Sequence, residues 1–319
     1  MPRHLLGIEG LTLGEFEHLL KNSEGFLEIS ERPIKKVPSL RGKTIINLFL
    51  EPSTRTRTSF EIAGKRLSAD TINISPSLSS VVKGETLLDT ARNLQAMAPD
   101  ILVIRDKHSG APDFLAQRLT GTSVVNAGDG MHEHPTQALL DCLSLRQHFK
   151  QRPQGIKKLR IAIVGDVRHS RVVRSNLWAH RLLENEVNLI GPPTLVPSEF
   201  VDPRAFGGKV RVFHSLTAGI DGADVVMCLR MQLERQEGNF VPSLEEYSHE
   251  FMVSEELLER YAPRAVVLHP GPINRGIEVQ SKLVDSKRSL VTDQVKNGVA
   301  VRMAVLFSLA TGLQESVEQ

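Results

Sequence analysis

TIINLFLEPSTRTRTSFEIAGKRL, residues 44–67, passes from a strand to a helix within a few positions, and the turn between them carries charge. Thr44–Leu50 is a short, mostly apolar run rich in strand formers, whereas Phe60, Ala63, Gly64 and Leu67 recur at the i, i+3, i+4, i+7 spacing of a helix face. Ser53-Thr54-Arg55-Thr56-Arg57 therefore falls at a predicted helix N-terminus, where first-turn N–H groups lack intrahelical partners and the dipole is positive. Arg55 and Arg57 add planar, permanently charged donors that match a phosphate edge. The bland alternative is a Ser53 or Thr54 cap beside solvated arginines. Two arginines so close together, directly after Pro52 and a buried-type strand, favour an anion site.

Outward from this turn, short apolar runs alternate with helix-like segments almost to the end, the pattern of an α/β protein whose mainly parallel sheets are covered by helices. Strand candidates are Thr44–Leu50, Thr71–Ile74, Ile101–Ile104 and Ser123–Asn126, then Arg160–Val164, Glu186–Ile190, Val210–Phe213, Asp224–Leu229 and Ala265–Leu268. Pro135–Phe149 reads as a connecting helix with Pro135 in its first turn, and the polar stretch Lys150–Gly155 marks a boundary. Two domains are expected, 1–150 and 151–319. A final helix over 299–313 is expected to pack back on the first domain. Thr12-x-x-Glu15 before Phe16, Leu19 and Leu20 predicts a capping box opening an amphipathic helix.

Composition narrows the partners. The 39 basic and 37 acidic residues are scattered along the 319-residue chain, giving a net charge of +2 that suggests no general nucleic-acid or membrane surface. Cys142 and Cys228 are too few and too far apart for a disulfide framework or a four-cysteine zinc site. A reducing cytoplasm is the expected location: Met1–Gly10 lacks a signal-peptide core and no run approaches the ~20 apolar residues of a membrane span.

Other motifs also follow strands. Ser79–Thr86 offers hydroxyls, Lys83 and Gly84 before a helix, but without the Gly-x-x-x-x-Gly-Lys run of a nucleotide P-loop. Arg105 and Arg230 each close an apolar run, and in open parallel sheets ligands gather beyond the carboxyl ends of strands. Either one is also readable as an ordinary edge charge. In Gly128–Gln137 three readings stand: a metal pair His132-x-His134, His134 as an acid or hydrogen-bond donor, or two structural histidines. Metal is the weakest, because nothing nearby offers a persuasive third ligand. His134, at a positive helix end, suits a neutral imidazole polarising a carbonyl. Gly165–Arg171 lacks the dinucleotide Gly spacing and instead brings Arg168, Arg171 and Arg174, which suit a carboxylate. His269-Pro270-Gly271-Pro272 ends the last strand with exposed carbonyl acceptors, or is only a turn.

Taken together, Phe49-x-Glu51-Pro52-Ser53-Thr54-Arg55-Thr56-Arg57, Lys83-Gly84-Glu85-Thr86, Asn126–Gly130, His134-Pro135-Thr136-Gln137 and Arg230-x-Gln232 closely resemble the transcarbamoylase family, in its aspartate-specific branch of catalytic chains. The resemblance implies two doubly wound domains joined by interdomain helices, the first binding carbamoyl phosphate and the second aspartate. It implies transfer of the carbamoyl group to the α-amino group of L-aspartate, giving N-carbamoyl-L-aspartate and phosphate, an early step of de novo pyrimidine biosynthesis. Ser53, Thr54, Arg55, Thr56 and Arg105 would hold the phosphate, with Ser79 and Lys83 supplied by a neighbouring subunit. Thr56, Arg105 and His134 would contact the carbamoyl oxygen, and Gln137 with the carbonyls of Pro270 and Gly271 would accept from its N–H₂. Arg171, Arg230 and Gln232 would hold the aspartate carboxylates, with Lys83 in reach.

The resemblance calls for no metal and no cofactor. It further implies a homotrimer with shared active sites, a mobile loop over Met231–Phe240, and regulatory or dihydroorotase-like subunits as possible companions. Glu133 and Gly271 depart from common family choices. Two rivals remain: another acceptor such as ornithine, which Arg230-x-Gln232 and the absence of a His-Cys-x-Pro turn disfavour, and a non-catalytic scaffold subunit, which the presence of Arg55, Lys83, Arg105 and His134 disfavours.

Overall fold

The computed structural model describes residues 3–74, 84–202, 209–232 and 240–315. Ser79, Lys83 and most of the segment 231–240 lie outside the described residues. The chain divides into two compact units, Met1–Leu143 with Lys296–Gln319, and Ser144–Val295.

The first unit runs α1 (Leu13–Glu31), β1 (Thr44–Phe49), α2 (Thr54–Arg66), β2 (Asp70–Ile74), α3 (Leu87–Gln95), β3 (Ile101–Asp106), α4 (Ala111–Ala116), β4 (Ser123–Asp129) and the start of α5 (Pro135–His148). Its four strands are parallel in the order β2-β1-β3-β4. β3 and β4 are buried along their whole length, as strands covered on both faces must be, while the edge strand β2 is largely open. The helix face expected in residues 60–67 is the buried face of α2: Phe60, Ala63 and Leu67 have no exposed surface. Gly64 lets α2 approach β2, since a Cβ there would meet Thr71 Oγ1 at 2.4 Å. The capping box of α1 forms as expected. The Thr12 hydroxyl accepts from the Glu15 amide at 3.2 Å, and the Glu15 carboxylate accepts from the Thr12 amide at 2.9 Å.

The second unit contains β5 (Arg160–Val164), α6 (Arg171–Leu182), β6 (Glu186–Ile190), β7 (Val210–Phe213), α7 (Leu216–Ile220), β8 (Val225–Cys228), α8 (Leu244–Phe251), α9 (Glu255–Tyr261), β9 (Val266–Leu268), α10 (Ser281–Val284) and the start of α11 (Val291–Glu315). Its strands are parallel in the order β7-β6-β5-β8-β9, packed around Ala162, Val164, Ile190, Val226 and Val267. Thus α5 and α11 are the helices through which the chain passes from one unit to the other. The last helix begins at Val291, eight positions before the sequence suggests, because buried polar residues Gln294 and Asn297 interrupt the apolar period without interrupting the helix.

Strand order explains where ligands can gather. From β1 the chain winds to β2 on one side, then crosses to β3 and β4 on the other. From β5 it winds to β6 and β7, then crosses to β8 and β9. Each sheet therefore has a switch point, β1/β3 in the first and β5/β8 in the second, and the crevice beyond the carboxyl ends at such a point is the usual ligand site of an open parallel sheet.

Candidate active site

At the first switch point, β1 ends at Phe49, opposite Arg105 of β3. Ser53 is the N-cap of α2 in extended conformation, but its side chain makes no capping bond, and the first turn holds no acidic residue. The opening amides of α2 thus keep their donors and positive dipole for an outside anion. Thr54 and Arg55 are exposed beside them, while Thr56 is buried. Arg105 is almost fully buried and held from two sides: one guanidinium nitrogen meets Glu51 Oε1 at 3.1 Å and another donates to the Ala127 carbonyl at 3.2 Å. Glu51 fixes the direction of the Arg105 fork, a role that sequence reading missed although the residue lies inside a quoted motif.

The neighbouring strand β4 leads into a loop organised by Asp129. Its carboxylate accepts from the amides of Gly110 and Glu133, from the Asn126 side chain and from His132. That contact with Asp129 raises the pKa of His132 above its ordinary value, against the opposing effect of burial. Gly130 sits at φ +47 with Lys107 and Ser109 where a Cβ would be, so only glycine fits. Past the loop, His134 caps α5 through its carbonyl, which accepts from the Gln137 amide at 2.9 Å. His134 and Gln137 are both nearly buried.

Glu133 turns out to serve the fold. Its two carboxylate oxygens accept from the Ile8 amide at 2.8 Å and the Glu9 amide at 3.3 Å, and Gly7 makes room for it. The negative charge is thereby engaged by backbone donors. Glu9, His132 and Glu133 place possible ligand atoms within 4.8 Å of one another, and His134, the other half of the pair read from the sequence, is not part of the group.

At the second switch point, β5 delivers Gly165–Ser170 and β8 delivers Arg230 and Gln232. Asp166, fully buried, ties the two together: it meets His169 Nδ1 at 2.8 Å and accepts from the Gln232 amide at 3.3 Å. Ser170 caps α6, so Arg171 is that helix's first residue, and its side chain is buried. Its two neighbours are committed elsewhere. Arg168 donates to the Thr194 carbonyl, and Arg174 donates to the carbonyls of Arg168 and Ser170.

Next along the sheet, β9 ends in the turn at His269. The imidazole Nδ1 accepts from the Gly271 amide at 2.8 Å, so the proton resides on Nε2, 3.1 Å from Glu278 Oε1. Because N–H and C=O of one peptide point oppositely, anchoring the Gly271 amide to His269 turns the Pro270 carbonyl away from the ring. Gly271 lies at φ +65, where glycine is at ease, which accounts for its departure from bulkier choices.

Residues 3–147 match the family described as aspartate/ornithine carbamoyltransferase, carbamoyl-P binding domain, and residues 157–309 match its Asp/Orn binding domain. The chain belongs to the aspartate/ornithine carbamoyltransferase family. An aspartate carbamoyltransferase catalytic subunit of Magnetococcus marinus is 51% identical over 99% of this chain and 95% of its own length. Among solved structures of the family, the catalytic subunit of M. jannaschii aspartate transcarbamoylase has a TM-score of 0.83 at 32% identity, covering 98% of this chain and 99% of that one. The Trypanosoma cruzi aspartate transcarbamoylase in complex with carbamoyl phosphate and aspartate has a TM-score of 0.85 at 27% identity, with 96% of each chain covered. The α/β fold with two helix-covered parallel sheets is that of the family.

Proposed function

We propose that the chain transfers the carbamoyl group of carbamoyl phosphate to the α-amino group of L-aspartate, yielding N-carbamoyl-L-aspartate and phosphate in an early step of pyrimidine biosynthesis. The observation that carries this reading is that the switch point of each sheet is furnished with cations and N–H donors: Ser53–Thr56 and Arg105 in one, Arg171, Arg230 and Gln232 in the other. The substrates bring one phosphate and two carboxylates. No helix among the described residues is long and apolar enough to cross a membrane, and the reaction is assigned to the cytoplasm.

In this reading the α2 amides, the side chains of Ser53, Thr54, Arg55 and Thr56, and Arg105 take the phosphate. Thr56, Arg105 and His134 point donors at the carbamoyl oxygen, where negative charge grows as the amine attacks. Gln137 and the carbonyls of Pro270 and Gly271 accept from the carbamoyl N–H₂, which fixes the plane of the group. Arg171, Arg230 and Gln232 orient the aspartate carboxylates so that its amine faces the carbonyl carbon. The C–N bond forms, the C–O bond to phosphate breaks, and the departing phosphate is proposed to help take the proton the amine gives up. No covalent intermediate, metal or cofactor enters these steps.

Ser79 and Lys83 are assigned to the site of a neighbouring subunit, and by the family resemblance the working unit is proposed to be a homotrimer. Steady-state assay of the purified chain with carbamoyl phosphate and either L-aspartate or L-ornithine tests the reading. Carbamoyl-aspartate alone is expected. Turnover with ornithine alone would overturn the assignment of Arg230 and Gln232.

A further inference from the structure

Gln137 and Asp141 stand one turn apart on α5, and Gln137 Nε2 donates to Asp141 Oδ1 at 2.9 Å. Asp141 has no exposed surface and Gln137 has little. A glutamine amide has a donor end and an acceptor end of nearly equal shape, so which end faces out is decided by its partners. A carboxylate oxygen can only accept. Against Asp141 the amide must therefore present its N–H₂ inward and its Oε1 outward, because the flipped amide would set two oxygens against each other in a buried place.

Asp141 is itself held in a charged setting. Arg302 of α11 is buried, donates to the Gly298 carbonyl at 2.9 Å, and lies over the Phe60 ring. A Cβ on residue 298 would come within 2.6 Å of the guanidinium, so glycine there creates the seat. Burial and, next, the Arg105 charge push the pKa of Arg302 down to about 9, and Asp141 acts in the opposite sense. Asp141 thus accepts from the Gln137 amide while lying in the field of the Arg302 charge.

We propose that Asp141 is a positioning residue that locks the Gln137 amide oxygen outward, and so makes the site select an acyl phosphate bearing an N–H₂ over one bearing a methyl group. The inference rests on the reading of Gln137 as acceptor for the carbamoyl amine. An acceptor held in place rewards carbamoyl phosphate with a hydrogen bond, and leaves a desolvated, unsatisfied oxygen against the methyl of acetyl phosphate. Asp141 touches neither substrate in this scheme. It acts through Gln137, and inorganic phosphate, which lacks the acyl group, should not sense it.

Binding of carbamoyl phosphate, acetyl phosphate and inorganic phosphate to the full chain, measured by calorimetry on the wild type and on Asp141→Asn, Asp141→Ser and Gln137→Ala, tests this. In Asp141→Asn the new amide offers N–H₂ to Gln137 Oε1 and allows the flip. The expected result is a loss of about tenfold in carbamoyl phosphate affinity, the upper end of the range for one neutral hydrogen bond. Acetyl phosphate and inorganic phosphate should bind as in the wild type, and Asp141→Asn should add little in the Gln137→Ala background. A parallel loss for all three ligands in both Asp141 variants would overturn the proposal, because Asp141 would then serve the fold or the phosphate grip. An unchanged ratio of carbamoyl to acetyl phosphate would overturn it as well. A wild type that shows no preference for carbamoyl phosphate would instead remove the functional reading on which the proposal stands.

Discussion

Arg105 shows how one residue is made ready before substrate arrives. Its guanidinium is nearly buried, with one branch on Glu51 and one on the Ala127 carbonyl, so little rotamer freedom remains to be lost on binding. Lysine has a single nitrogen in place of the planar fork whose two ends reach these separate acceptors. Arg105→Lys and Arg105→Ala are both expected to lower kcat for carbamoyl transfer to aspartate, the alanine variant by roughly 10²–10³-fold, the usual cost of removing one donor from developing oxyanion charge. Steady-state kinetics check this, and a loss confined to the aspartate KM would contradict the assignment. Arg105 was legible in the sequence because it closes an apolar run. Its partner Glu51 was not, since the two are 54 positions apart and only the β1–β3 pairing makes them neighbours. Asp141 left a fainter mark, four residues after Gln137 on a predicted helix, the spacing at which helical side chains meet. Arg302 was readable only as a lone cation in the apolar run 299–306.

At the scale of elements, caps and strand ends were the best-written parts of the chain. The Thr12 box, the strand β1 and the start of α2 all form where periodicity places them, because each is a local arrangement of hydrogen bonds and apolar spacing. Buried polar groups were less legible, and the junction of α6 with β6 shows why. Asn185 Oδ1 accepts from the Leu159 amide, so its N–H₂ faces His180 Nδ1, and that nitrogen must be an acceptor in a neutral ring. Burial accordingly pushes the pKa of His180 down to about 4 from an ordinary value near 6.5. As pH falls the unfolded chain takes up this proton first, so the contribution of neutral His180 to stability is complete above about pH 6.5 and is lost as pH falls toward 4. The full loss is ~3 kcal/mol. Urea unfolding at pH 7.5, 5.5 and 4.5 should show a midpoint falling more steeply for the wild type than for His180→Gln. Equal slopes would mean that His180 takes up its proton in the folded state at an ordinary pH.

For the whole molecule, the two units solve the same problem twice: each winds a parallel sheet outward from a first strand, reverses, and leaves anion-seeking residues at the point of reversal. Strand ends with their arginines are visible in a sequence, but strand order is not, so the pairing of β1 with β3 and of β5 with β8 had to come from the structure. Assembly is a further step, because the proposed site borrows Ser79 and Lys83 from a neighbouring copy. A chain lacking Arg105 keeps its own Lys83 to lend, and a chain lacking Lys83 keeps its own Arg105 to use. If Arg105→Ala and Lys83→Ala chains, each nearly inactive alone, are unfolded together in equal amounts and refolded, random assembly should give each site one intact contributor of each kind in about a quarter of cases. Activity should then return to about a quarter of the wild-type value, at wild-type KM for aspartate. If the mixture stays as inactive as its parents while light scattering reports trimers, each copy must complete its site with its own Lys83, and the shared arrangement is wrong.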